Sequence, residues 1–246
     1  MHKNALYTKN NIMDTKHTHS KIVTPTNDGW PTLYVPEIDE TYHSHFGART
    51  ESQHVFIHYG LDFCANTQDV CVFEVGFGTG LNAFESCKWA RKHKQKITYY
   101  SIEKHILQNK EIEQLHLENQ LNKNEYDTFL SIHACNWDTP HEIHDFFTLH
   151  KIHGDMCTYK NLPKNIDVVF FDAFSPEKQS ELWSSHVFEK LYEQMKKGGV
   201  LTTYCVKGHV KRRLQDIGFS IEKLPGPKNG KREVLRAQKK NCILQI

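Results

Sequence analysis

The stretch Val70-Cys71-Val72-Phe73-Glu74-Val75 is a run of strand length, apolar except for Glu74. It ends in Gly76-Phe77-Gly78-Thr79-Gly80 and passes directly into a helical pattern over residues 81–93. Strand, glycine turn and helix in immediate succession are half of a βαβ unit, and three small residues in the turn let a backbone approach a ligand closely. The pattern recurs downstream. Residues 97–102 read as a β-branched and aromatic strand closed by Glu103 and 108–121 as a helix, while 126–150 reads as either helix or strand, with a helix favoured to about 135 and a strand at 148–153. Residues 166–171 then read as a buried strand ending in Asp172, 185–196 as a helix stopped by Gly198-Gly199, and 200–206 as a strand. A helix over 209–217 stops at Gly218, and 219–224 with 233–236 form a closing antiparallel pair around Pro225-Gly226-Pro227-Lys228-Asn229-Gly230. Such alternation predicts an α/β fold with a mostly parallel, doubly wound sheet and ligands at the C-terminal strand ends. Upstream, 32–35 and 54–58 read as short β stretches around the turn-rich Tyr42-His43-Ser44-His45-Phe46-Gly47, as in a hairpin or lid. The polar, unpatterned residues 1–25 are expected to fray.

A dinucleotide fingerprint is GxGxxG, and here Leu81 stands where the third glycine would be. The loop is GxGxG, preceded by the acid Glu74. In this it resembles motif I of S-adenosylmethionine-dependent methyltransferases, which implies a Rossmann-like fold of that class and S-adenosyl-L-methionine as cofactor. The resemblance assigns cofactor contacts to Glu74, Gly76, Phe77, Gly78, Thr79, Gly80 and Asn82. That cofactor has no pyrophosphate; it needs a carboxylate for its ribose hydroxyls, and Glu103, 23 residues beyond Gly80, is placed for this. Asp155, after Ile152-His153-Gly154, stands where this class often holds the adenine amino group. The alternatives are a glycine turn without a ligand, a surface carboxylate at 103 and a turn-stabilising Asp at 155.

Asp172-Ala173-Phe174-Ser175-Pro176 follows the strand at 166–171. An acid at a strand end followed by an aromatic and a proline resembles the active-site loop of amino-directed methyltransferases; a capping Asp with a core Phe is the alternative. Further segments narrow the resemblance. These are Glu74 to Asn82, Leu182-Trp183, Gly198-Gly199-Val200-Leu201-Thr202-Thr203-Tyr204, Gly208-His209-Val210-Lys211-Arg212-Arg213-Leu214, Gly218-Phe219, Pro225-Gly226 and Lys231-Arg232-Glu233. With Asp28-Gly29, Pro31-Thr32-Leu33-Tyr34, Tyr42-His43-Ser44 and Glu51-Ser52-Gln53-His54-Val55-Phe56, they are similar, in order and over residues 26–237, to one family. It is the methyltransferase domain of the bifunctional tRNA enzyme MnmC, which completes 5-methylaminomethyl(-2-thio)uridine at the wobble position.

That resemblance implies an N-terminal extension over 1–60 and a methyltransferase domain over 61–246. It also implies an N-methyltransferase that converts aminomethyl(-2-thio)uridine to methylaminomethyl(-2-thio)uridine in the anticodon stem-loop of tRNA. Bifunctional members also carry an FAD-dependent oxidase, and this chain ends at Ile246, so a stand-alone form is expected, with another protein supplying the aminomethyl uridine. A methyl group moves from a sulfonium to an amine by in-line displacement, so alignment is the main requirement and no metal is needed. An alkyl amine, with a reference pKa of about 10.4, arrives mostly protonated. Asp172 is the expected catalytic residue, orienting the amine and passing on its proton. Phe174 is expected to stack on the flipped base or, alternatively, to be a core residue. Tyr42, His43, Ser44 and Glu51 are carried over to the acceptor pocket, and Lys211, Arg212, Arg213, Lys231 and Arg232 to phosphate contacts.

Charge is consistent with a polyanionic partner. The net charge is +2, yet from residue 190 onward 14 Lys and Arg face four acids, leaving a net −8 over residues 1–189. A basic C-terminal fifth on an acidic body suits binding to nucleic acid, or else is a solvated lysine-rich surface. A mean hydropathy of −0.62 and no apolar run near the ~20 residues of a membrane helix argue against membrane insertion and for the cytoplasm. Seven scattered cysteines without a CxxC pair suggest neither a disulfide framework nor a zinc cluster. Three rival readings use the same features. A polyamine-type aminopropyltransferase shares the cofactor motifs but needs several acids for a polycation; a small-molecule methyltransferase treats the basic tail as surface; a non-catalytic RNA-binding module leaves the cofactor motifs unexplained.

Overall fold

The computed structural model describes residues 21–64 and 68–240. Its frame is an eight-stranded sheet. After the short strands β1 (Ile22–Thr24), β2 (Thr32–Val35) and β3 (Glu40–Thr41) come β4 (Asp69–Val75), β5 (Lys96–Glu103), β6 (Pro140–His144), β7 (Phe147–His153), β8 (Ile166–Phe171), β9 (Met195–Thr203), β10 (Phe219–Pro225) and β11 (Glu233–Lys239). The order is β10-β11-β9-β8-β4-β5-β7-β6, parallel from β9 through β7 and antiparallel at both edges. All six residues of β8 are buried, as befits a central parallel strand covered on both faces. Val168 and Phe170 enter one core layer, Val169 and Phe171 the other. The chain leaves β4 towards β5 on one side and later returns to β8 on the other, so the crevice of a doubly wound sheet opens above their C-terminal ends.

The helices are α1 (Ala48–Glu51), which continues in the wider π winding over Ser52–Leu61, α2 (Leu81–His93), α3 (Asn109–Glu113), α4 (Lys123–Ala134), α5 (Ser185–Gln194) and α6 (Gly208–Ile217). The expected strand at 54–58 lies inside the π-wound helix. Phe56 and Leu61, five residues apart, are both buried there, a spacing that fits π winding and neither strand alternation nor an α-helical stripe. The helix expected over 108–121 is broken into α3 and a 3₁₀ turn, Leu117–Asn119. His116 between them has φ 48°, and the buried Ile112, Leu115, Leu117 and Leu121 do not keep a 3.6-residue period. Strand β9 starts five residues before the expected 200, with Gly198-Gly199 inside it where the register to β8 shifts. Helix α5 accordingly ends at Gln194. Strand β6 falls within the segment 126–150, which the sequence leaves open between helix and strand. Of the segment expected to fray, residues 1–20 lie outside the described residues, while Ile22–Thr24 pairs with β2 in a small antiparallel sheet β1-β2-β3. The π-wound helix runs across the boundary expected at residue 60.

Candidate active site

Above the sheet, Gly76 N donates to Ile102 O at 3.0 Å and Asp172 N donates to Val75 O at 3.1 Å. The loops after β4 and β8 then part, and a cavity of about 290 Å³ opens between them, roofed by Tyr42, His43 and Glu51 from the N-terminal segment. Gly76 and Gly78 take φ 94° and 50°. A Cβ on Gly76 would stand 2.7 Å from Asp172 O, and one on Gly78 would stand 2.9 Å from Tyr42 Cδ1. Only glycine serves at these two positions, and the bare backbone forms one wall of the cavity.

Glu103 ends β5 at that wall. Its Oε2 accepts from Gly78 N at 3.1 Å and its Oε1 from His105 N at 2.7 Å. Each oxygen keeps a lone pair, and a ribose diol presents the two donors that such a carboxylate accepts. Phe77, Asn82 and Asp155 also line the cavity. Asp155 Oδ2 accepts from Lys104 Nζ at 2.8 Å and Oδ1 from Cys157 N at 2.8 Å; the bond from Lys104 holds its carboxyl below the usual range. Paired acceptors at the end of β5 beside a loop that excludes side chains fit S-adenosyl-L-methionine.

Glu74, Thr79 and Gly80 do not line the cavity. Glu74 is fully buried beneath the loop and accepts from Ser101 Oγ at 2.6 Å; burial first, and the nearby Asp172 charge, push its carboxyl up to about 8. Thr79 Oγ1 pairs with His43 Nε2 at 3.3 Å, and Gly80 N closes the turn on Phe77 O at 2.8 Å. These three shape the loop. His43 bonds Thr32 Oγ1 through Nδ1 at 3.0 Å; burial pulls its pKa down to about 4, so the ring is neutral and braces the small sheet against the loop.

Asp172 faces the other end of the cavity. Ser52 Oγ donates to Asn82 Oδ1 at 2.6 Å, which turns Asn82 Nδ2 towards Asp172 Oδ2 at 2.7 Å. One oxygen of Asp172 is thereby held, and Oδ1 is left for a ligand. Burial, reinforced by the nearby Glu51 carboxylate, pushes Asp172 up to about 7, while the Asn82 bond and Lys231 pull the other way. Glu51 Oε2 accepts from Ser44 N at 3.1 Å, and burial raises its carboxyl too, against the pull of Lys231. Tyr42 and Phe174 meet edge to face with centroids 5.0 Å apart. Trp183 Nε1 donates to Phe174 O at 2.8 Å, which fixes the loop that carries that ring.

The basic residues divide. Lys231 lines the mouth of the cavity with 43% of its side chain still exposed, 3.7 Å from the Tyr204 ring centroid and 3.9 Å from Glu51 Oε1, apart from the phosphate-contact group to which the sequence assigned it. Arg213 Nη1 donates to Trp183 O at 2.7 Å and so anchors α6 to the Asp172 loop. Lys211, Arg212 and Arg232 make no ion pair among the described residues, whereas Lys196, Lys207, Lys223 and Arg236 are paired with Asp167, Glu177, Glu233 and Glu222.

Sequence reasoning gave no role to Ser52, Glu40 or Tyr204. Glu40 accepts from Ser175 N at 3.0 Å and Ser175 Oγ at 2.8 Å, clasping β3 to the Asp172 loop, and Tyr204 Oη donates to Ala173 O at 2.8 Å. Ser52 and Tyr204 lay within segments that carried the resemblance; Glu40 had no motif to mark it.

A family model described as S-adenosyl-L-methionine-dependent methyltransferase matches residues 116–240. A tRNA 5-methylaminomethyl-2-thiouridine biosynthesis bifunctional protein MnmC from Cupriavidus metallidurans is 32% identical over 231 residues, covering 87% of this chain; the chain spans about a third (33%) of that relative. Among solved structures, MnmC2 from Aquifex aeolicus superposes with a TM-score of 0.70 at 24% identity, over 92% of this chain and 73% of that one. Spermidine synthase from Thermotoga maritima superposes at 0.51 with 12% identity, over 85% and 68%. Both share the fold. With a family model matching half its length, a cavity that fits the cofactor and the sheet order described above, the chain belongs to the S-adenosyl-L-methionine-dependent methyltransferases.

Proposed function

We propose that this enzyme transfers a methyl group to the primary amine of aminomethyl(-2-thio)uridine at the tRNA wobble position. The observation that carries the reading is the acceptor end of the cavity. There the Asp172 carboxylate, held on one oxygen by Asn82 and pushed up to about 7 by burial, lines the same cavity as the paired Tyr42 and Phe174 rings. A planar base bearing one amine matches that pairing, and similarity to the Cupriavidus protein of tRNA 5-methylaminomethyl-2-thiouridine biosynthesis supports the same substrate. The bound cofactor supplies an electrophilic methyl on a sulfonium. Asp172 Oδ1 accepts a hydrogen bond from the amine and takes its proton, because a carboxyl titrating near 7 is closer to a useful base than one near 4. The Tyr42–Phe174 pair offers the base one aromatic wall and keeps water from the amine. A cytoplasmic location belongs to this reading. Among the described residues no helix is long and apolar enough to cross a membrane. Purified protein incubated with cofactor and tRNA bearing aminomethyl uridine should convert that nucleoside to its N-methyl form, read by mass analysis of the digested tRNA. An unchanged nucleoside at saturating cofactor rejects the substrate.

Phosphate binding falls to the unpaired basic residues. Replacing Lys211, Arg212 and Arg232 by Ala should flatten the slope of log K for tRNA against log salt by ~0.7–0.9 for each phosphate no longer neutralised, with cofactor binding intact. A parental slope makes them a solvated surface.

A second reading, aminopropyl transfer to a polyamine, is favoured by one feature: Glu40, Glu51 and Asp172 all line the acceptor end. Decarboxylated cofactor with 1,4-diaminobutane tests it, and formation of a triamine would select it over methyl transfer.

A further inference from the structure

Three carboxylates around an acceptor cleft make it attractive to any polycation, yet the structure places a cation of the chain's own among them. Lys231 leaves the turn between β10 and β11, lies over the Tyr204 ring at 3.7 Å and reaches Glu51 at 3.9 Å. The turn is held to the π-wound helix through Pro225 O, which takes bonds from Tyr59 Oη at 3.1 Å and His54 Nε2 at 2.8 Å. Ser175 engages both oxygens of Glu40 and Asp172 takes the reacting amine, so Glu51, which keeps Oε1 beside the bond that Oε2 accepts from Ser44 N, is the acid with which a second ammonium would pair. Lys231 already holds that place.

We infer that Lys231 determines acceptor specificity: its ammonium fills the second cation position of the cleft, so that only an acceptor with a single amine enters and diamines are refused. Two features suit it to this task. A lysine ammonium is a compact charge on a long stem, and the Tyr204 face offers a cation–π seat beside Glu51. A like charge a few ångströms away repels a second ammonium, and although Lys231 itself is partly exposed, the Glu51 carboxylate over which the two would compete is largely buried. The inference rests on the reading that the acceptor presents one amine, but its test needs no tRNA and no turnover.

The probe is 1,4-diaminobutane, titrated calorimetrically into the full chain at about pH 8, above the value of about 7 to which burial pushes Asp172. Lys231→Met should bind the diamine at least ~tenfold more tightly than the parent, and Lys231→Arg, which keeps the charge, should bind it as weakly as the parent. Adding Glu51→Gln to Lys231→Met should abolish the gain. Lys231→Gln serves as a second neutral variant should the methionine variant fail to fold. Parental diamine affinity in the neutral variants overturns the inference, as does an equal gain in the arginine variant, which would mean that bulk rather than charge excludes the probe. If tRNA methylation fails while the neutral variants gain diamine affinity, the substrate reading falls and the role of Lys231 stands.

Discussion

Asp172→Asn should slow methyl transfer by ~10²–10⁴-fold, the range for a positioned acid–base group, while cofactor affinity changes little. The asparagine keeps the shape of the side chain and an oxygen to accept from Asn82 Nδ2, so the chain from Ser52 survives. What it loses is the charge and a site for the amine's proton. Single-turnover transfer at saturating cofactor, followed across pH, checks this. The parental rate should climb as pH rises through about 7, where Asp172 ionises, and the variant should lose that limb and recover partly at high pH as more of the amine becomes neutral. A variant that keeps the parental rate at neutral pH removes Asp172 from the chemistry.

Stability should move the other way. Burial raises Asp172 from its ordinary 3.8 to about 7, so the folded state binds a proton that the unfolded chain would release. The sign is that of a raised acid: its contribution is fully present below about 3.8 and is lost as pH rises to about 7. Asp172→Asn should therefore melt higher than the parent, by a margin that widens up to about that midpoint and then levels off. A slower enzyme with a higher melting temperature separates a functional carboxylate from a mere strand-end cap, whose loss would lower both.

The parts legible in the sequence were those fixed by local pattern. The strand before Gly76 and strand Ile166–Phe171 have near-continuous apolar runs, helix Leu81–His93 follows directly on the glycine turn, and the structure places them there. From the π-wound helix onward, local pattern misleads. Val55-Phe56-Ile57 resembles a strand core in sequence, and only packing over Val168 and Phe170, with Gly60 beneath the rings, selects the wider winding. The site divides similarly. The cavity-lining glycines and Glu103 follow from what a cofactor loop needs, whereas Glu74, equally part of the motif, turns beneath the loop because strand alternation points it away from the ligand. The clasp from Glu40 to Ser175 spans 135 residues, and Ser52 reaches Asn82 across 30, so no spacing rule brings either pair together. Lys231 read as one more basic residue in a basic tail until the turn that bears it was folded over Tyr204.

Gly76→Ala should destroy cofactor binding and lower stability together. The added methyl would stand 2.7 Å from Asp172 O, a backbone carbonyl that cannot swing aside as a side chain does, and 3.3 Å from Asp172 C. The φ of 94° is a second obstacle, since an L-residue there carries strain of roughly 1–3 kcal/mol before any clash. Relief requires the two strand ends to separate, which breaks the bond from Asp172 N to Val75 O and shifts the glycine loop against Glu103. The cofactor cradle and the acceptor carboxylate would be lost at once. In a chain of this size each 1 kcal/mol is worth about 2–4 °C, so a fall of several degrees should accompany the loss of any cofactor heat in calorimetry. Gly208→Ala is the control. It lies at the start of α6 with only Arg212 Nη1 at 3.3 Å to displace, and it should melt and bind cofactor as the parent does. If Gly76→Ala binds the cofactor within a few-fold of the parent and melts with the control, the close approach of the two strand ends is not what builds the site.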